Sequence, residues 1–203
     1  MSDLPNAPAS LRNSSPILAV LRNELADCCN VLEIGSGTGQ HAVHFSASLP
    51  DLNWQTSDLP ENHDGICAHI AHSGLDNIRA PLTLDVRSAT RNAQSYDAVY
   101  TANTMHIMSF SAVEKMIPLV ASLLDGGGLF VAYGPFRQGG EFNAESNAKF
   151  DASLRERDTD MGIRELEEID SLAESFGLCR IKKYAMPANN LLLIWQKDKR
   201  IMQ

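Results

Sequence analysis

The run VLEIGSGTGQH, residues 31–41, places Gly35, Gly37 and Gly39 at alternate positions, straight after an apolar stretch that carries an acid, Glu33. Glycine reaches φ > 0 without a Cβ penalty and lets a ligand come close to the main chain. A hydrophobic strand, a glycine-rich turn and then a helix form an anion- or nucleotide-type site, because the helix presents free N–H groups and the positive end of its dipole to the turn. A tight strand-to-helix turn with no ligand is the structural alternative. The dinucleotide fingerprint G-x-G-x-x-G needs a third glycine three residues after Gly37, where this chain has Gln40.

Outward from that stretch, the pattern alternates. Pro16–Leu25 has helical spacing, with Pro16 suited to the first turn. Cys29–Ile34 reads as strand one and Thr38–Leu49 as a helix. Asn53–Asp58 is strand two, and Glu61–Gly74 a helix closed by glycine. Ala80–Val86 is strand three, Tyr96–Asn103 strand four, and Gly128–Phe136, after a helix from Ser111, strand five. Leu178–Tyr184 and Leu191–Gln196, joined by the turn residues Pro187–Asn190, form a terminal hairpin that reverses the last strand. The fold class is therefore α/β. It is expected to be a Rossmann-like, seven-stranded, mostly parallel sheet with an antiparallel terminal hairpin strand and helices on both faces.

The chain has 203 residues, 44% of them hydrophobic, which suits one domain over 1–203. Residues 1–10, rich in Pro, Ala, Ser and Asn, are expected to be loose. A net charge of −8 argues against a broad nucleic-acid surface. The four cysteines lack zinc spacing, the histidines at 41, 44, 63, 69 and 72 read as packing or surface residues, and no metal is expected. No apolar stretch approaches ~20 residues and no leader pattern is evident, so a cytoplasmic protein without a membrane span is expected.

The connection 134–164 is long for a strand-to-helix link, and long links are often lids. It holds Phe136, Arg137, Asn143, Ser146, Asn147, Arg155, Arg157 and Arg164, with Tyr133 just before it. The arginines suit a bidentate clamp on a carboxylate or phosphate. The alternative is pairing with Glu141, Glu145, Asp151, Glu156 and Asp158.

The acid-preceded alternate-glycine form E-x-G-x-G-x-G resembles motif I of class I S-adenosylmethionine-dependent methyltransferases. Downstream, RNSSPIL, ANTMHIM, YGPF, SNAKFDASLRERD, GIRELEEIDSLAESFGL and MPANNLLLIW resemble the DUF938, or methyltransferase-like protein 26, family over nearly the whole chain. Met161 stands where that family usually has Trp. The resemblance implies S-adenosylmethionine as cofactor, and a site made of Arg12, Glu33, Gly35, Gly37, Gly39, Asp58, Asp85, Asn103 and Met105. Asp58 would accept ribose hydroxyls, with helix capping as its alternative. Asp85 would meet the adenine.

Asn103–His106 stands at motif IV. The lack of prolines there argues against methylation of planar amino nitrogens. His106 would serve as a general base and Tyr133 would flank the sulfonium, with simple packing as the alternative for His106. Phe136, Arg137, Asn147, Arg155 and Asn189 are the candidate acceptor-binding residues. The expected activity is methyl transfer to a small molecule, preferably at a hydroxyl or carboxylate oxygen, by a monomer or homodimer. The alternative is a cofactor-binding partner or regulatory subunit without its own catalysis.

Overall fold

The computed structural model describes residues 4–89 and 94–199. The elements in chain order are α1 (Pro8–Glu24), β1 (Asn30–Ile34), α2 (Gln40–Ser48), β2 (Asn53–Asp58), α3 (His63–Ser73), β3 (Ile78–Thr83), β4 (Tyr96–Ala102) and α4 (Phe110–Leu123). They continue with β5 (Leu124–Gly134), β6 (Phe136–Gln138), β7 (Glu141–Phe142), α5 (Glu145–Arg157), β8 (Arg164–Glu165), α6 (Leu166–Glu174), β9 (Leu178–Met186) and β10 (Asn190–Lys197). The main sheet has seven strands in the order β3-β2-β1-β4-β5-β10-β9. β1 runs parallel to β2 and β4, and β2 parallel to β3. β10 is antiparallel to both β5 and β9, the reversal that the terminal hairpin predicts.

The chain falls into two compact units, residues 1–85 with 96–101, and residues 86–95 with 102–203. In the first, Phe45, Trp54 and Tyr100 form an aromatic cluster with centroids 5.4–5.6 Å apart. It joins α2 to β2 and β4. In the second, Phe130 on β5 stacks on Trp195 of β10 at 5.3 Å, beside a fully buried run Leu192–Trp195. A strand buried on both faces needs such a continuous apolar run.

Several boundaries differ from expectation. β5 starts at Leu124, not Gly128, and ends at Gly134, with Phe136 opening β6. α1 begins at Pro8, not Pro16, so Pro8 takes the first-turn position where a missing N–H is harmless and Pro16 lies inside the helix. Its upstream half, SLRNSS, lacks apolar periodicity because buried Asn13 and Ser14 face inward there. The expected looseness of residues 1–10 falls outside the described residues for 1–3, and Pro8–Ser10 are helical. Strand three lies upstream of its expected place, leaving Asp85 in the following loop.

The connection 134–164 is not a bare loop. It supplies β6, β7 and α5, and with β8 it makes a second sheet in the order β7-β6-β8. Among the described residues no helix is long and apolar enough to cross a membrane, and no three His, Cys, Asp or Glu side chains are grouped to hold a metal ion.

Candidate functional site

In the first unit the chain leaves β1 through Gly35, Gly37 and Gly39 at φ 74°, 59° and 84°. Only glycine holds three such positions in five residues cheaply. The N–H groups of Gly35 and Ser36 both donate to the Ser57 carbonyl at 3.0 Å, which fastens the loop to the end of β2. A Cβ at Gly39 would sit 3.1 Å from the Ile66 Cα, so this glycine lets α3 pack against the loop. A Cβ at Gly37 would meet nothing within 4 Å. The two glycines thus have different reasons: close packing for one, and space beside the main chain for the other. α2 then starts at Gly39 with no side-chain cap, so its first N–H groups remain for another acceptor.

Asp58 is buried and already employed. Its Oδ2 accepts from the Gly37 N–H at 2.7 Å, and its Oδ1 accepts from the Leu59 N–H at 2.7 Å and from Asn62 Nδ2 at 2.8 Å. A carboxylate offers about four acceptor sites. The residue therefore caps the turn after β2 and steadies the glycine loop while keeping acceptor capacity on Oδ2.

Glu33, 2% exposed, accepts from Trp54 Nε1 at 3.1 Å. Burial pushes its carboxyl up to about 7; the Asp58 charge acts the same way, against hydrogen bonds from Trp54 and Ser36. The acid is thus poised between protonated and ionised near neutrality, and a cation brought beside it would draw the proton off. Asp85 is half-buried past β3, and Arg12 is exposed on α1.

Gln40, conspicuous in the sequence only as a missing glycine, fastens the N-terminal segment. Its Oε1 accepts from the Ala7 N–H at 2.6 Å and from Thr38 Oγ1 at 2.9 Å, and its Nε2 donates to Asn6 Oδ1 at 3.2 Å. His69 Nε2 donates to the Pro5 carbonyl at 2.8 Å. His41 Nε2 donates to Asn13 Oδ1 at 2.6 Å and its ring stacks on Phe45 at 5.2 Å, while burial lowers its pKa to about 4. It is the packing histidine that the sequence suggests.

In the second unit Asn103, the residue after β4, holds φ 58° and donates its N–H to the Tyr133 carbonyl at 2.8 Å. A non-glycine residue in this region marks strain of the sort found beside ligand sites. His106 follows, 6% exposed, with its ring edge-on to Phe150 of α5 at 5.3 Å. Its Nδ1 lies 3.6 Å from where a Cβ on Gly134 would stand. Burial, with a smaller effect of Arg164, lowers its pKa to about 4, so the imidazole is neutral at pH 7. Met105, Tyr133 and Phe136 are buried nearby in the chain order, on the loop after β4, at the end of β5 and at the start of β6.

The arginines are drawn into the frame. Arg155 Nε donates to Asp151 Oδ2 at 2.8 Å, one helical turn away. Arg137 lies 3.4 Å from Glu165 and 5.6 Å above the Phe142 ring. Arg164, buried on β8, donates to the carbonyls of Met105 at 2.9 Å, Asp160 at 2.9 Å and Met108. Asn147 Nδ2 donates to Asn143 Oδ1 at 2.7 Å and to the Asn189 carbonyl at 3.0 Å, and Asn189 donates to Ser146 Oγ at 3.2 Å. These amides pin α5 to the β9–β10 turn. The Arg155–Asp151 and Asn147–Asn143 pairs and the Arg164 bond to Asp160 follow a four-residue spacing; the other partners of Arg164 lie up to 59 residues away, and no sequence signal names them.

A family model described as "Protein of unknown function (DUF938)" matches residues 4–197. Among solved structures, the chain is similar to an O-methyltransferase family protein from Burkholderia thailandensis, at 18% identity and TM-score 0.83, covering 95% of this chain and 58% of that one. It is similar to human N-acetylserotonin methyltransferase in complex with S-adenosylmethionine, at 14% identity and TM-score 0.80, covering 94% and 53%. A third is an O-methyltransferase from neocarzinostatin biosynthesis in complex with S-adenosylmethionine and 2-hydroxy-5-methyl naphthoic acid, at 14% identity and TM-score 0.76, covering 93% and 54%. At such identities the likeness is one of fold, and this chain spans little more than half of each of those chains.

Proposed function

We propose that this chain, which belongs to the DUF938 family, is an S-adenosylmethionine-dependent methyltransferase acting at oxygen on a small molecule. Kinship with methyltransferase-like protein 26 is part of the same reading. The observation that carries it is the left-handed glycine loop with Asp58 bonded to Gly37 and open space at the Gly37 Cβ position. The residues fit the cofactor: the uncapped start of α2 suits a carboxylate, Glu33 suits an ammonium, and Asp58 Oδ2 suits a hydroxyl. When bound, the cofactor supplies an electrophilic methyl on a sulfonium. Arg12, Asp85, Asn103 and Met105 complete the proposed cofactor set.

His106 and Tyr133 are the first of the acceptor-side groups in this reading. A neutral imidazole can take a proton, but its basicity matters. Against a phenol-like hydroxyl near 10, an imidazole that burial holds well below its ordinary value is a weak base, so removing the proton ahead of methyl transfer is unfavourable. His106 can then only receive the proton as the new oxygen–carbon bond forms, and a carboxylate acceptor would need no base. Phe136, Arg137, Asn147, Arg155 and Asn189 then act mainly by shaping the region through their internal bonds.

The second reading, cofactor binding without catalysis, is favoured by one observation: Phe150 lies against the buried His106 ring. Calorimetry with S-adenosylhomocysteine on the full chain tests the shared premise, with saturable binding expected; no binding at millimolar ligand would sink both readings. Transfer of labelled methyl to a panel of hydroxyl and carboxylate acceptors separates them. Turnover that His106→Ala reduces at least tenfold supports catalysis, and binding without turnover supports the second reading.

A further inference from the structure

The loop that carries His106 is held from outside itself. Arg164 Nε donates to the Met105 carbonyl at 2.9 Å, one Nη2 bond goes to the Met108 carbonyl, and another reaches the Asp160 carbonyl at 2.9 Å. The His106 carbonyl accepts from the Gly162 N–H at 3.0 Å. One guanidinium thus spans the residues on either side of His106, and the main chain two residues before Arg164 holds His106 itself. The guanidinium also lies 5.8 Å from the Phe110 ring centroid, where α4 begins.

Gly162 is part of this arrangement. A Cβ there would lie 2.5 Å from Arg155 Nη2 and 2.9 Å from Asp151 Oδ1. Asp151 Oδ1 in turn accepts from the Ile163 N–H at 2.7 Å. α5 and the strand start at Arg164 are therefore stitched on both sides of Gly162, close to the point where Gly162 meets His106.

We propose that Arg164 is the positioning residue for His106, latching the Met105–Met108 loop to the end of the 134–164 connection so that this connection sets the place of the imidazole. The latch explains why a buried arginine takes three main-chain carbonyls: carbonyls orient the fork and leave its charge in place, where a bonded carboxylate would cancel it. That charge adds to burial, the larger effect, in keeping the nearby imidazole neutral, and it favours negative charge developing on an oxygen beside it. The other charged groups acting on Arg164 are Arg155 and Asp151 from α5, Asp160 from the preceding turn and Glu168 from α6. Three acids and one base leave its field partly balanced, so the effect at His106 is one of proximity.

The test uses the full chain with Arg164→Lys and Arg164→Met. Ring NMR of His106 is followed against pH, S-adenosylhomocysteine affinity is measured by calorimetry, and methyl transfer is measured where an acceptor is in hand. In the unsubstituted protein His106 should stay neutral down to about pH 5. Arg164→Met should move its midpoint up by about one pH unit, and Arg164→Lys, which keeps the charge and loses the fork, by less. Cofactor affinity should fall by no more than a few-fold in both, through the loosened Met105, while kcat falls at least tenfold with a smaller change in KM.

The kinetic and binding arms rest on the methyltransferase reading and the titration does not, so failure of that reading shows first as no cofactor binding by the unsubstituted chain, with the titration still able to test the latch. If Arg164→Met does not fold, Arg164→Lys and the unsubstituted titration carry the test. A His106 midpoint that is the same in every folded variant, or that lies near 6.5 in the unsubstituted protein, overturns the proposal.

Discussion

The glycine loop at 35–39 and the connection at 134–164 are built on opposite principles. In the loop, residue type dictates shape: three glycines sit at positive φ, and the neighbouring acid at the end of the next strand fastens them. In the connection, shape depends on partners far away in the chain, such as Arg164 reaching Met105 across 59 residues. The difference teaches where function can be read locally. A main-chain requirement leaves a mark on the sequence at the place where it acts, whereas a side chain's choice among many carbonyls and carboxylates leaves none.

The largest expected effect asks whether the two regions share a physical feature despite that difference. Each has a histidine whose pKa is lowered by burial to about 4: His41 after the loop and His106 beneath α5. The folded values lie below the ordinary 6.5, so the stability these residues contribute is present above pH 6.5 and is lost as pH falls towards 4. The size is about 3 kcal/mol for each. Glu33 works in the other direction. Its folded value of about 7 exceeds the ordinary 4.5, so its contribution is full below 4.5 and fades as pH rises through 7. Urea unfolding between pH 4 and 8 should show a steep loss of stability on the acid side. His41→Gln and His106→Gln should each flatten that limb by a similar amount. If only one does, the regions differ in burial as well as in design.

Within the loop itself, the next effect separates packing from ligand space. Gly39→Ala forces a Cβ against the Ile66 main chain at φ 84°, and should cost about 1–3 kcal/mol of stability. Gly37→Ala meets no neighbour, so its cost is limited to the left-handed backbone, about 1 kcal/mol. Its effect on S-adenosylhomocysteine affinity should nevertheless be the greater of the two relative to that cost. Denaturant unfolding paired with calorimetry checks this; equal affinity in Gly37→Ala and the unsubstituted chain would mean that the space beside Gly37 takes no ligand.

The sequence made the alternation of strands and helices, the reversed last strand and the glycine turn legible, because each follows from periodicity or from a backbone that only some residues permit. Glu33 was marked by the resemblance to the methyltransferase motif and not by periodicity; the sequence left open whether Asp58 would cap a turn, and the bonds to Leu59 and Asn62 are of that kind. The start of α1 at Pro8 was hidden because Asn13 and Ser14 are buried polar residues on a face that should read as apolar. β7 and β8, of two residues each, are too short for any alternation to register. For the arginines the sequence offered a ligand clamp or pairing with nearby acids; Arg155 pairs with Asp151 as the second has it, while Glu165 and the main-chain carbonyls that Arg137 and Arg164 meet were not among the named partners.

Gln40 crosses that divide, and it gives the smallest and sharpest effect. It stands inside the legible stretch, yet its role depends on partners 33 and 34 residues upstream, Ala7 and Asn6. Gln40→Ala removes the acceptor of the Ala7 N–H and the donor to Asn6, and each such bond is worth about 1 kcal/mol. Because the segment is also held by His69 at Pro5, it should loosen without the domain unfolding. Amide exchange at Ala7 should rise several-fold while exchange in β1 stays unchanged. Gln40→Glu keeps an oxygen for the Ala7 N–H and should keep most of the protection, which separates the loss of this one bond from general damage to α2. Unchanged exchange at Ala7 in Gln40→Ala would show that His69 and Pro5 alone secure the segment, and Gln40 would return to being the residue that merely takes a glycine's place.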